Sequence, residues 1–362
     1  MYNLSLEIIN DCNLNCSYCY LGDKKGMIMD YNIAKASIDM AVHEAKKQYD
    51  KSLHVYFIGG EPLLIFKQMK ELVKYIKKVC KHNNLKFFFS TTTNATLINE
   101  EIIDFFINQK FNFKVSIDGD EEIHNLNRKD CFGKGTYQRV IDKIPLIEKY
   151  ENIIEKPVIA AQVITTNNVH KFSESFWKIE SLGFKIIESS INIYDEWDKK
   201  SLEILEKQLK ILFNYYYKIK QNGNVLYWRF LENLISDYYS EVPFYKCKAG
   251  LKSCYVNVEG DFYPCKDIKE MNIGSSSKGL NVGKIRKLIS IKETENTDCL
   301  FCHYINHCEA KGCIMDNYII NQQIFQPVYV KCFITKVVYQ LIKTDIDDDQ
   351  KKAFIKFYRR GV

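Results

Sequence analysis

Three cysteines stand within eight residues near the N-terminus, Cys12, Cys16 and Cys19 in the run CNLNCSYC. The spacing C-x3-C-x2-C on one short segment lets each sulfur reach a different iron corner of a cubane iron–sulfur cluster, and it leaves the fourth iron open. A tetrahedral zinc site is the rival, but it wants a fourth Cys or His nearby, and the closest histidine is His43, inside a predicted helix. Eight further cysteines follow: Cys247, Cys254, Cys265, Cys299, Cys302, Cys308, Cys313 and Cys332. They divide into two complete fours, which suits two fully ligated [4Fe-4S] clusters or two zinc sites, and spacing alone leaves that choice open. Cys80, in a predicted helix, reads as a small buried hydrophobe, and Cys131 lies in a loop just after Arg128.

The rest of the chain must position these thiols. With 362 residues, 46% hydrophobic and 14% aromatic, the composition is that of a densely folded globular protein with room for one large domain or two smaller ones. Thirteen cysteines, an odd number, argue against a disulfide framework. The N-terminal MYNLSLEIIND carries no basic segment, apolar run or cleavage signal, so a cytoplasmic location is expected. No stretch approaches the ~18 apolar residues of a membrane span, so no membrane partner is expected. The net charge of +6 is spread over Lys-rich helical faces such as Lys70-Glu71-Leu72-Val73-Lys74, with no aromatic-interleaved basic patch to suggest nucleic acid.

Over residues 1–240, short β-rich runs alternate with longer amphipathic stretches. Strands are predicted at Ser5–Ile9, His54–Ile58, Lys86–Ser90, Phe113–Ile117, Val158–Val163 and Phe184–Glu188. Helices are predicted at Tyr31–Lys47, Phe66–Lys81, Glu100–Asn108, Thr136–Tyr150, Val169–Leu182 and Lys199–Lys220. Six such βα repeats imply an α/β class with a parallel sheet curved into a full or partial barrel. In such barrels the chemistry sits on loops after the strands, and CNLNCSYC follows the first strand directly. Past residue 240 the rhythm stops, so 241–335 is expected to form a smaller domain held by metal, and 336–362 a closing helix.

This arrangement resembles the radical S-adenosylmethionine (SAM) superfamily, whose hallmark CxxxCxxC follows the first strand of a partial (β/α)6 TIM-type barrel. The resemblance implies that Cys12, Cys16 and Cys19 hold a [4Fe-4S] cluster whose open iron chelates SAM, and that one-electron cleavage yields a 5'-deoxyadenosyl radical. Gly59-Gly60-Glu61-Pro62 matches the family's GGEP segment, which binds the methionine amine; glycines permit close backbone approach and Glu61 can accept from an ammonium. Thr93-Asn94-Ala95-Thr96-Leu97 resembles the TNGTL segment, with Ala95 where glycine is usual. Ser116-Ile117-Asp118-Gly119 and His124-x3-Arg128 resemble segments lining the SAM and substrate pocket, with Ser116 and Arg128 the candidates for the SAM carboxylate. Val163 and Tyr18 are the expected apolar neighbours of SAM.

The C-terminal pattern resembles the SPASM domain. On that template Cys247, Cys254, Cys265 and Cys313 would hold one auxiliary [4Fe-4S] cluster, and Cys299, Cys302, Cys308 and Cys332 a second, giving three clusters in all. One departure is that four residues, where the family usually has three, separate Cys308 from Cys313. Such enzymes mostly modify side chains in peptides or proteins and draw electrons from a flavodoxin or ferredoxin. The preferred expectation is a peptide maturase forming a thioether or carbon–carbon crosslink. The alternative is an anaerobic sulfatase maturase that converts Cys or Ser to formylglycine. Those maturases place an Asp directly after the G-x4-C cysteine; here Lys266 occupies that position and Asp267 follows, and these two are the candidate catalytic residues.

Overall fold

The computed structural model describes residues 1–22, 24, 26–265, 268–293 and 297–345. Its strands are β1 (Tyr2–Asn10), β2 (Met27–Ile28), β3 (Ser52–Gly59), β4 (Lys86–Thr93), β5 (Asn112–Ser116), β6 (Ile159–Ile164), β7 (Ile186–Ile191), β8 (Tyr227–Trp228), β9 (Ser253–Val256), β10 (Asp261–Tyr263), β11 (Gly274–Ser275) and β12 (Gly279–Leu280). The chain divides into two compact units, one of Met1–Ala160 with Cys247–Ile291 and one of Ala161–Lys246 with Lys292–Val362. In the first, the strand order is β12-β11-β10-β9-β1-β3-β4-β5. There β1, β3, β4 and β5 run parallel, β9 lies parallel against β1, and β9 to β12 form an antiparallel meander. In the second, β6, β7 and β8 follow in order. Among the described residues no helix is long and apolar enough to cross a membrane.

Each of the six predicted strands is present, the last displaced to Ile186–Ile191. The predicted helix Thr136–Tyr150 is instead two, Tyr137–Ile141 and Ile144–Ile154. Pro145 opens the second, because a residue without an N–H fits only the first turn. The short helix Glu121–Asn127 was not expected; Asp120 caps it by accepting from the Ile123 N–H at 2.9 Å. Nor was β9, a four-residue strand whose partner β1 lies some 250 positions away in sequence. The C-terminal helix begins at Tyr329, before the expected boundary, and is described to Asp345; the remainder of the expected 336–362 segment lies outside the described residues.

Alternation along β1 buries Tyr2, Leu4, Leu6 and Ile8 in the core. That core continues into stacked rings, with Phe111 at 5.0–5.9 Å from Phe57, Phe89 and Phe106. The other face is polar. His54 is bonded to Asn3 Oδ1 (3.1 Å) and Ser90 Oγ (2.7 Å), Tyr56 to Thr92, and the Tyr255 hydroxyl donates to Glu7 at 2.8 Å.

At the C-terminal ends of β1 and β3 the two backbones meet. The register slips between Glu7 and Ile9, a bulge that re-aims the end of β1. Gly60 N–H then donates to Ile9 C=O (3.0 Å) and Glu61 N–H to Asp11 C=O (2.9 Å). A Cβ on Gly60 would sit 1.9 Å from the Asp11 carbonyl oxygen, so only glycine fits. Gly60→Ala should therefore destabilise the apo-protein by at least about 2 kcal/mol in urea unfolding. Gly283→Ala, in the helix Val282–Ile289 where a Cβ meets nothing closer than 3.4 Å, should be neutral or stabilising.

Candidate active site

The bulged end of β1 leads directly into the thiol loop. Asp11 Oδ1 accepts from the Cys12 N–H at 2.8 Å, and Cys12 Sγ accepts from Leu14 N–H (3.4 Å) and Asn94 Nδ2 (3.7 Å). Asn94 also donates to Asn13 Oδ1 (2.9 Å), Asn13 donates to Thr96 Oγ1 (2.8 Å), and Thr96 donates back to Asn94 Oδ1 (2.7 Å). The far side of the loop is stitched to residues 127–130. Ser17 N–H donates to Asn127 C=O (3.0 Å), Ser17 Oγ to Asn127 Oδ1 (2.8 Å) and Asn15 N–H to Lys129 C=O (2.7 Å). The Lys24 ammonium donates to the Leu14 carbonyl. Sequence reasoning gave no role to Asn13, Ser17 and Asn127, whose signal is only a local excess of small amides and hydroxyls, and named Thr96 only as part of the TNGTL-like segment.

All three thiols are free. Burial pushes the Cys12 thiol up to about 11, with the negative charges of Glu61 and Cys16 adding and the Leu14 N–H and Lys24 opposing. Cys16 is also raised, by burial first, against the pull of Arg128 and with Asp118 and Cys19 adding. Cys12 and Cys16, buried and coupled to neighbouring sulfurs, are costly to ionise alone and fit a cationic metal centre.

Glu61 is fully buried (0% exposed) and its carboxylate accepts three hydrogen bonds. Oε1 accepts from Leu63 N–H (3.1 Å) and Thr93 Oγ1 (2.8 Å), and Oε2 from Asn94 N–H (2.7 Å). Burial lifts the acid to about 7 despite these bonds. In this structure Glu61 therefore orders the 93–96 turn, and the glycines before it admit the end of β1. Pro62 starts the 3-10 turn that the same carboxylate caps. Ala95 holds φ +63, the left-handed conformation that explains the family's preference for glycine.

Next to Cys16 lies a buried ion pair. Arg128 donates to Asp118 Oδ1 at 3.1 Å, Tyr18 donates its hydroxyl to Asp118 Oδ2, and the guanidinium stands 5.2 Å from the Tyr18 ring centroid. Burial works against the charged guanidinium, but Asp118, Tyr18 and Cys16 outweigh it and Arg128 stays protonated. Arg128 is 6% exposed, and its Nε and the Asn127 Nδ2 are buried with no partner. Two orphaned N–H donors beside the thiol loop fit an anionic group such as a carboxylate. Ser116 is buried at the end of β5. Val163 is half-buried on β6, in the second unit, and its carbonyl accepts from Asn168.

Residues 6–153 match the family model described as "Radical SAM superfamily". The cysteine-type anaerobic sulfatase-maturating enzyme of Clostridium perfringens (strain 13 / Type A) is 30% identical over 326 residues, 83% of this chain and 85% of the relative. The chain belongs to the radical SAM superfamily. It is an enzyme of the protein-modifying kind, and the superfamily's [4Fe-4S] cluster and SAM are its cofactors. The solved structure of native anSMEcpe with bound AdoMet and the Cp18Cys peptide superposes with a TM-score of 0.77 at 22% identity, over 95% of this chain and 97% of that one. Streptococcus suis SuiB bound to the precursor peptide SuiA follows at a TM-score of 0.62 and 17% identity, over 91% and 75%. The fold is accordingly the partial-barrel α/β fold of these radical SAM enzymes.

The C-terminal cysteines of this radical SAM enzyme fall in both units. Cys299, Cys302, Cys308 and Cys332 lie within electrostatic reach of one another. Burial raises the Cys299 thiol to about 11, and the charges of Cys308, Cys332 and Cys302 add to it. Cys308 and Cys332 are raised likewise, by burial first. Cys313, also in the second unit, faces Asp316 and Lys331. In the first unit Cys254 is buried on β9, while Cys247 and Cys265 are exposed. Among the described residues no three His, Cys, Asp or Glu side chains converge tightly enough for a single metal ion. Lys266 and Asp267 lie outside the described residues.

His124, on the short helix before Arg128, is 1% exposed, bonded to Thr136 Oγ1 at 3.1 Å and unpartnered at Nδ1. Burial lowers its pKa from 6.5 to about 4, Arg128 lowering it further and Asp118 opposing. The folded protein thus keeps the ring neutral where the unfolded chain protonates it. The ring's contribution to stability is full above about pH 6.5 and is lost, by on the order of 3 kcal/mol, toward pH 4, while buried Glu61 contributes with the opposite sign over the same range. The His124 part is therefore read as a difference: in urea unfolding of the apo-protein, His124→Gln should gain stability relative to the unchanged chain as the pH is lowered from about 6.5 to about 4.

Proposed function

We propose that this enzyme oxidises a cysteine or serine side chain of a protein substrate to formylglycine. The observation that carries the reading is likeness to a cysteine-type sulfatase-maturating enzyme at 30% identity across 85% of that relative. When bound, the N-terminal cluster and SAM supply a 5'-deoxyadenosyl radical able to abstract a hydrogen atom from the substrate. This chain's residues hold and orient that chemistry. Cys12, Cys16 and Cys19 would hold the cluster, Arg128 and Ser116 would take the SAM carboxylate, Asp118 and Tyr18 fix the guanidinium, and Val163 is a candidate apolar neighbour of SAM. The Gly59 and Gly60 segment offers backbone carbonyls to the amine, since the buried Glu61 carboxylate is already committed to three protein donors.

Residues 241–335 supply the ligands of two auxiliary clusters. The mutual proximity of Cys299, Cys302, Cys308 and Cys332 supports one four; for the other, Cys247, Cys254, Cys265 and Cys313, the support is the SPASM-like spacing in the sequence. A flavodoxin or ferredoxin is the reductant. Asp267 is the candidate to accept the substrate thiol or hydroxyl proton. A second reading, crosslinking within a small peptide, is favoured by the position before it: Lys266 stands where the sulfatase maturases have their acid, and a protonated lysine cannot remove a proton.

Anaerobic reconstitution should give about 12 iron atoms per chain, falling to about 8 when Cys12, Cys16 and Cys19 are changed to Ala; zinc in place of the remaining iron would sink the auxiliary-cluster assignment. Incubation with SAM and reductant should convert a sulfatase cysteine peptide to an aldehyde detected by mass spectrometry. An unmodified sulfatase peptide alongside a crosslinked cysteine-rich peptide would select the second reading.

A further inference from the structure

A cation facing the Cys313 sulfur comes from the helix Tyr329–Asp345. Lys331 Nζ stands 3.8 Å from Cys313 Sγ and is ion-paired with Asp316, whose Oδ2 is 3.3 Å from the same sulfur. Cys313 caps the helix Ile314–Asn321 and Asp316 sits in its first turn, so the pair bridges the two helices at the sulfur. Further along, Cys332, Thr335 and Lys336 occupy i, i+3 and i+4 on one face. There Lys336 opposes the upward push of burial on the Cys332 thiol, and the Thr335 hydroxyl donates to the Lys331 carbonyl at 2.9 Å.

A thiolate-ligated [4Fe-4S] centre gains negative charge on reduction. A cation and an N–H donor at a ligand sulfur therefore favour the reduced state and raise the potential. Asp316 anchors the ammonium on one side, which fixes the direction of its N–H toward the sulfur but also tempers its charge.

We propose that Lys331, held by Asp316, is a redox-tuning residue that raises the reduction potential of the auxiliary cluster ligated by Cys313. This suits the cluster to accept the single electron that a substrate radical loses on oxidation, its core passing from 2+ to 1+ with no bond to iron made or broken. The inference rests on the reading of Cys313 as a cluster ligand.

The test uses the full-length chain with Cys12, Cys16 and Cys19 changed to Ala, so that only auxiliary centres report. Metal analysis and EPR-monitored redox titration are run on this parent, on Lys331→Met and on Lys331→Arg. The expected result is about 8 irons in each, a midpoint shifted to lower potential for one of the two centres in Lys331→Met, and its restoration in Lys331→Arg. Unchanged midpoints at full iron content overturn the proposal, as does a shift that Arg does not reverse. Iron falling to about 4 in Lys331→Met alone shows a residue that merely holds the site, and also overturns it. A parent lacking iron is a separate failure, that of the cluster reading, and the proposal falls with it.

Discussion

The contact on which the site depends is between two stretches of backbone. Gly60 and Glu61 dock on Ile9 and Asp11, closer than any side chain would allow, and this joins the ends of β1 and β3. Asp11 then anchors the first cysteine amide, Glu61 reaches to the end of β4 through Thr93 and Asn94, and Asn94 returns to the Cys12 sulfur. Three parallel strand ends are thus closed into a ring of hydrogen bonds, and the first thiol is part of it. Because the ring is made of strand ends, the thiol inherits the rigidity of the sheet beneath it.

Electrostatics divides this region into what is settled and what waits for a ligand. Asp118 and Arg128 neutralise one another in a buried pair, with Tyr18 completing the carboxylate. Such a pair is costly to bury and contributes geometry more dependably than stability. Its product is a guanidinium plane locked beside Cys16 with one N–H still unanswered. The Cys12 and Cys16 thiols, raised first by burial, are equally unfinished. Both incomplete features lie on the loop and segment tied together through Ser17 and Asn127, so filling one constrains the other.

Much of this was legible because it is local. The thiol spacing, GGEP and the βα alternation are each read within a few residues or one period of a strand or helix. What escaped depends on distant partners. β9 is only four residues long and is defined by β1; the helix Glu121–Asn127 is too short to show a period. Glu61 is the instructive case. Its type says acceptor, and the family resemblance assigned the ligand amine to its segment, yet the donors that fill its carboxylate come mostly from residues 32 and 33 positions away. Ala95 shows the converse: the departure from glycine was visible in sequence, while the left-handed backbone that gives it meaning was not.

The two sets of sulfurs also differ in the kind of donor they meet. Cys12 receives a backbone amide and the neutral side-chain amide of Asn94. Cys313 meets an ammonium directly. Charge-assisted donors bind anionic acceptors about twice as strongly as neutral ones. Cations are not confined to one set, since the Arg128 guanidinium stands beside Cys16; what sets Cys313 apart is an ammonium held against the sulfur itself by Asp316. The distinction resides in individual side chains near the sulfurs, and it would survive wide variation in the strands and helices around them.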